Sequence, residues 1–170
     1  MPSHPPIPPL LHQYISDIPS GSLTLLTSTL GATTNWLLLR FIHAAPKNSS
    51  HDEPKVVSEN TTVVLVSWLR DSNFWRDGGR KLGINSQKLN FVDALSNSLG
   101  LGAGGLVELE KEVMKAVEGP KEAMNGEGRV LLVLDGLDFL IAATACPVLD
   151  IIDMVGEIRE VWLSSIHQFL

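Results

Sequence analysis

The chain has little of what would mark a secreted or membrane-spanning protein. It holds one cysteine, Cys146, among 170 residues, so no disulfide can form within the chain, which suits a reducing compartment. The proline-rich start lacks the basic segment and following apolar segment of a secretory signal. No apolar run reaches the ~18 residues that a membrane helix needs. We therefore expect a cytoplasmic protein without a membrane partner.

The sequence also lacks the spacings of common catalytic and metal sites. No G-x-S-x-G motif is present, and no Ser-His-Asp order stands out. No histidine lies at ligand spacing from Cys146; the five are His4, His12, His43, His51 and His167. We therefore expect no bound metal.

Acidic residues outnumber basic ones, and the formal net charge is -6. This balance argues against a free-standing nucleic-acid binder, which usually has a basic face. The best basic cluster is "RDGGRKLG", with Arg76, Arg80 and Lys81. A solvated helix face is one interpretation of these three residues, and contact with an RNA backbone is the other.

The chain divides into a proline-rich lead with a short helix, residues 1–19, and a single domain, residues 20–170. Polar residues 46–60 predict a mobile surface loop. Strands are predicted at 21–28, 61–68, within 88–96 and at 130–134, alternating with helices. This order predicts an α/β fold with a mostly parallel sheet flanked by helices. The last helix is expected to bury one face, marked by Val148, Ile152, Val155, Trp162, Ile166 and Phe169.

The stretch "TSTLGATTN", residues 27–35, has the layout of a phosphate-binding loop between strand and helix. The consensus G-x-x-x-x-G-K-[ST] would put Thr27 and Ala32 at the glycines, Thr33 at the lysine and Thr34 at the hydroxyl. Gly31 comes one place early. Loss of the lysine removes several kcal/mol of phosphate charge stabilisation. An ordinary strand-to-helix turn of small residues explains the stretch as well.

A second candidate site residue is Asp135, which ends the aliphatic run "RVLLVLD". An acid at this place holds Mg²⁺ or its water in phosphate-loop enzymes. Its alternative role is to cap a neighbouring loop, with Asp138 as the N-cap of the next helix. Asp71 is the one candidate base for activating water, and the start of a solvated helix explains it equally.

Three stretches together resemble the family of the sixth Elongator subunit: "VVLVSWLRDSNFWRDGGRKLGIN", "LNFVDALS" and "RVLLVLDGLDFLIAAT". The resemblance covers roughly residues 20–160. It implies a RecA-like fold of the P-loop NTPase type with degenerate Walker motifs. Gly31, Thr33 and Thr34 then occupy the Walker A region, and Asp135 matches the acid of Walker B. Family members are longer, so the last strands of the sheet are expected to be absent.

The resemblance further implies a non-catalytic subunit and no cofactor of its own. The family forms a hetero-hexameric ring with the fourth and fifth Elongator subunits. That ring docks on the catalytic Elongator subcomplex, binds and releases tRNA, and supports wobble-uridine modification in the cytoplasm and nucleus, with ATP at ring interfaces. Two alternatives stay open: an active RecA-class ATPase acting in recombination or another ring, and a parallel α/β domain of unrelated function.

Overall fold

The computed structural model describes residues 7–16, 18–19, 21–29, 31–45, 61–85, 89–99, 105–123, 129–143 and 146–166. The predicted loop at 46–60 lies outside these residues. The elements of the described residues follow one another as α1 (Pro9–Ser16), α2 (Asn35–Ala44), β1 (Thr61–Ser67), α3 (Ser72–Leu82), β2 (Leu89–Asp93), α4 (Ala94–Leu99), α5 (Gly105–Ala123), β3 (Arg129–Asp135), α6 (Leu137–Ala143) and α7 (Val148–Ile166). No helix in these ranges is both long enough and apolar enough to cross a membrane.

The three strands form one parallel sheet in the order β2-β1-β3. β1 is central, and its Val64 lies opposite Asn90 on one side and Leu132 on the other. A strand covered on both faces needs apolar side chains at every position. The uncharged sequence "TTVVLVS" of β1 meets that need, since Val63 to Val66 are buried. The predicted α/β fold with a parallel sheet flanked by helices is confirmed.

Helices cover both faces of the sheet. Since successive side chains of a strand point to opposite sides, β1 contributes to a separate core on each face. On one face, Val64 and Val66 of β1 belong to a core cluster with α5 and α7. On the other face, Val63 and Leu65 belong to a cluster with α2 and α3. The first cluster includes Leu109, Val113, Ile151 and Met154, and the second includes Ile42 and Trp75.

The strand predicted at 21–28 is wrong. Residues 22–29 form neither strand nor helix, and Leu23 and Leu25 are 69% and 83% exposed. The segment starts in a turn, in which the Ser22 amide donates to the Pro19 carbonyl oxygen over 3.2 Å. Its leucines and threonines favour a strand, but a strand also needs a hydrogen-bonding neighbour. The described part of β3 pairs with β1 alone.

The buried face of α7 is also different from the predicted one. Ile151, Met154 and Ile158 are buried, whereas Val148 and Ile152 are 49% and 58% exposed. Apolar residues occupy two neighbouring stripes of this helix, and spacing alone could not tell which stripe meets the sheet. Val155 is partly buried against the core. The side chains of Trp162 and Ile166, and residue Phe169, lie outside the described part of the chain.

Candidate site at the carboxyl edge of the sheet

Asp135 is the last residue of β3 and lies at the carboxyl edge of the sheet. Only 4% of its surface is exposed. Its Oδ2 accepts a hydrogen bond from the hydroxyl of Ser67, the last residue of β1, over 2.8 Å. The two residues are opposite each other in the parallel register. The hydrogen bond therefore joins the ends of two neighbouring strands.

The Ser67 hydroxyl also organises the loop that follows β1. Its oxygen accepts from the backbone amide of Arg70 over 3.0 Å and lies 3.4 Å from that of Leu69. The Trp68 amide donates to the backbone oxygen of Asp135 over 3.0 Å. Strand β3 and the loop between β1 and α3 are thus connected through side chain and backbone. A buried hydroxyl with partners on both sides contributes more than an isolated surface hydrogen bond.

Gly136 allows a close approach on the same edge. Its φ of +84° is in the left-handed region, which favours glycine. A Cβ at this position would lie 2.7 Å from the Cγ of Leu69. Glycine therefore lets the loop after β3 pack directly against the loop after β1.

The environment of Asp135 raises the pKa of its carboxyl group. Burial raises the pKa of its carboxyl group above the usual range, and nearby Asp138 adds to the increase. The hydrogen bond from Ser67 and the charge of Arg70 both oppose this increase in the pKa. Burial is the largest cause, so the pKa of Asp135 lies above the ordinary value for an aspartate despite these two favourable neighbours.

The predicted loop residues Gly31, Thr33 and Thr34 lie ahead of α2. Gly31 has a φ of +86° in open space, and the Ala32 amide donates to the Thr29 oxygen over 3.0 Å. Thr34 is the N-cap residue of α2, but its side chain makes no capping hydrogen bond. No hydrogen bond or ion pair of the described residues connects the three loop positions to Asp135.

These residues do not fit a magnesium nucleotide in this chain alone. The loop offers no lysine to the phosphates, and no hydrogen bond or ion pair of the described residues joins it to Asp135. No group of three or more His, Cys, Asp or Glu side chains within the described ranges could hold a metal ion. The chemistry that the carboxyl edge does show is hydrogen bonding of Ser67 and Asp135 to neighbouring backbone and side-chain groups.

Two other acids near this edge hold the starts of helices. Asp71 is the N-cap of α3 and accepts from the Phe74 amide over 2.9 Å, which accounts for this candidate base. Asp93 accepts from both the amide and the hydroxyl of Ser96 at the start of α4. Asp138 is not the N-cap predicted for α6, because the helix begins one residue earlier, at Leu137.

The predicted basic cluster lies on α3, and one of its three residues, Arg80, is already part of an ion pair. Arg80 forms an exposed ion pair with Asp77 over 3.1 Å, one helical turn away. Arg76 and Lys81 are exposed on the same helix. A solvated helix face, the first of the two interpretations, accounts for Arg80.

The described surface has a shallow depression of about 410 Å³, and it lies away from Asp135. All of its lining residues belong to α5, among them Glu110, Met114 and Lys115. A depression along one helix lacks the converging groups of a ligand site. It therefore offers no alternative to the carboxyl edge.

Ser67 is the site residue that the sequence interpretation missed. The available signal is a small hydroxyl residue at the end of an uncharged strand, in "VVLVSW". Its partner Asp135 is 68 positions further along the chain. Only the parallel register of β1 and β3 brings the two side chains together.

Comparison with known proteins assigns no family, since no protein family, no curated protein and no solved structure matches the chain.

Proposed function

We propose that the chain is a non-catalytic, RecA-like subunit of the Elongator accessory ring. In this proposal it assembles with the fourth and fifth Elongator subunits, and the ring supports wobble-uridine modification by binding and releasing tRNA. The three stretches that resemble the family coincide with β1 and α3, with β2 and α4, and with β3 and α6. The resemblance therefore follows three strand-helix units, and α5 separates the second unit from the third.

The proposal that the subunit is non-catalytic rests on the environment of Asp135, which is buried and hydrogen-bonded to Ser67. The acid stands at the edge where phosphate-loop enzymes bind Mg²⁺, yet its carboxylate accepts from Ser67 and its pKa is raised by burial. The loop has threonine where the lysine would be. The acid at this edge thus has a hydrogen-bonding role between two strand ends, which supports a non-catalytic subunit.

Co-expression with the fourth and fifth Elongator subunits tests the assembly. We expect the three chains to elute together in gel filtration. Elution of this chain as a separate monomer beside a complex of the other two would contradict the proposal.

ATP turnover by the isolated chain tests the alternative of an active ATPase. We expect no turnover above background, because the loop has threonine where a lysine would neutralise the phosphate charge. A Thr33→Lys variant is the matched control for the lysine alone, and it is expected to stay inactive because Thr27 and Ala32 still occupy the glycine positions of the loop. Substantial turnover by the natural sequence would favour the ATPase.

A further inference from the structure

The β1–α3 loop and α3 reverse the charge balance of the chain. Residues 70–81 hold four basic and two acidic side chains, whereas acidic residues outnumber basic ones in the chain as a whole. Both acids of this region are engaged, since Asp71 accepts from the Phe74 amide and Asp77 pairs with Arg80. A local excess of positive charge in an acidic chain attracts an anionic partner.

An exposed aromatic ring lies among these charges. Phe74 is 40% exposed, and the guanidinium of Arg70 lies over its ring, 5.3 Å from the centroid. The ring of the buried Trp75 is perpendicular to that of Phe74, with centroids 5.4 Å apart, which fixes the orientation of the exposed ring. The region therefore presents an aromatic ring and a planar cation together to solvent.

A second cation lies on the same side of α3 as the Phe74 ring. Lys81 follows Phe74 by seven residues, so both lie on one face of the helix, about 10 Å apart along its axis. Arg70 and Lys81 are exposed, and neither forms an ion pair with another described residue. Both charges are therefore available to a ligand that contacts the ring.

The backbone that carries Arg70 and Phe74 is fixed before any ligand binds. The Ser67 hydroxyl accepts from the Arg70 amide over 3.0 Å, and the Asp71 carboxylate accepts from the Phe74 amide over 2.9 Å. The same Ser67 hydroxyl donates to the buried Asp135 at the end of β3. Groups that are already ordered lose less conformational entropy on association.

We propose that Arg70 and Phe74 form a stacking platform for an unpaired base of single-stranded RNA, and that Lys81 contacts the adjoining phosphates. Unpaired bases stack on aromatic rings and on guanidinium planes, whereas the bases of a duplex are already stacked on one another. An acidic protein segment would pair with the two cations and make no use of the aromatic ring. The inference deepens the proposed tRNA role, on which it rests for RNA as the ligand, and it restricts the contact to unpaired nucleotides.

Fluorescence anisotropy of the full chain tests the platform with two probes, a short unstructured RNA of mixed sequence and the duplex of that RNA with its complement. We expect the single strand to bind more tightly. Phe74→Leu keeps an apolar side chain but removes the ring, so it should weaken single-strand binding by at least about fivefold and leave duplex binding unchanged. Trp36→Leu is the matched control, since Trp36 is 51% exposed on α2, and it should change neither affinity. Equal affinity for the two RNAs, no binding of either, or unchanged single-strand binding by Phe74→Leu would overturn the proposal.

Two further variants separate stacking from charge. Arg70→Lys keeps the positive charge but loses the guanidinium plane, so it should weaken single-strand binding without changing the slope of log affinity against log salt. Lys81→Gln should instead reduce that slope by about 0.7, because one phosphate is no longer neutralised. Circular dichroism verifies that each variant is folded. An Arg70→Lys variant that binds like the natural chain would exclude stacking on Arg70 and overturn the platform.

Competition with poly-glutamate distinguishes RNA from an acidic protein partner. We expect poly-glutamate to displace the bound RNA far less effectively than the same charge concentration of unlabelled single strand. Equal displacement would overturn the proposal in favour of an acidic protein. Because these measurements use the chain alone, they are separate from the test of the ring. A chain that enters the ring but binds no single strand would contradict the platform only, and a chain that binds single strands but stays outside the ring would contradict the assembly only.

Discussion

The hydroxyl of Ser67 donates to the carboxylate of Asp135 over 2.8 Å and joins the ends of β1 and β3. Both side chains are buried, and the serine oxygen also accepts from the backbone of the following loop. From the sequence alone Asp135 could be interpreted as a magnesium ligand, whereas in the fold its carboxyl group accepts a hydrogen bond from Ser67. The consequences for stability can be measured.

Removal of the hydroxyl should destabilise the fold. Ser67→Ala leaves the buried Asp135 without its donor and the Arg70 amide without its acceptor. We expect a loss of about 1–3 kcal/mol in the free energy of unfolding, measured by urea denaturation. Ser96→Ala is the matched control, because Ser96 donates to Asp93 at an exposed site, and it should cost less than Ser67→Ala. Equal costs for the two variants would contradict a special role for the buried pair.

The raised pKa of Asp135 predicts a pH dependence of stability. The folded state holds its proton at pH values where the unfolded chain, with a pKa near the ordinary 3.8, has lost it. The stabilisation is complete below that value and is lost as the pH rises through the folded pKa. Asp135→Asn keeps an acceptor for Ser67 but cannot ionise. Its stability relative to the natural chain should therefore increase from pH 3 toward pH 7.

Urea denaturation of both proteins at several pH values measures this difference. A difference that stays constant with pH would show that Asp135 titrates alike in the folded and unfolded states. A difference that decreases with rising pH would show a lowered pKa, as expected of a carboxylate prepared for a cation.

A methyl group at Gly136 should disturb the contact between the two loops. Gly136→Ala puts a Cβ 2.7 Å from the Leu69 Cγ at a φ of +84°, and we expect a loss of about 1–3 kcal/mol in stability. Gly156→Ala is the control, since Gly156 lies in α7 and nothing beyond its chain neighbours and its own helix backbone lies within 4 Å of an added Cβ. That variant should gain about 0.5–1 kcal/mol because alanine favours a helix. Thermal unfolding compares the two, and an equal effect would contradict the close approach.

The sequence predicts those features that depend on local pattern. The uninterrupted apolar run of β1, the aliphatic run of β3 and the cap at Asp71 could all be found from neighbouring residues. The features that the sequence could not predict depend on residues that are distant in the chain. Leu23 and Leu25 lie in a segment with the composition of a strand, which pairs with no strand of the described ranges. The two apolar stripes of α7 differ only in which of them meets the sheet, and Ser67 acquires its role from the register with β3.

The exposed basic residues of α3 test the role proposed for tRNA. In an assembled ring, Arg76→Ala with Lys81→Ala should weaken tRNA binding. The slope of log affinity against log salt should fall by about 0.7 to 0.9 for each phosphate that is no longer neutralised. Lys115→Ala, an exposed lysine on α5, is the control with the same type of charge removed. Filter binding at several salt concentrations measures both. Unchanged affinity and slope in the double variant would show that Arg76 and Lys81 face solvent and do not contact tRNA.

Native mass measurement of the co-expressed complex tests the central proposal most directly. This chain, produced with the fourth and fifth Elongator subunits, is expected to appear in one hetero-hexameric species that holds two copies of each chain. The result that would contradict the proposal is a complex of the fourth and fifth subunits alone, with this chain found only outside it.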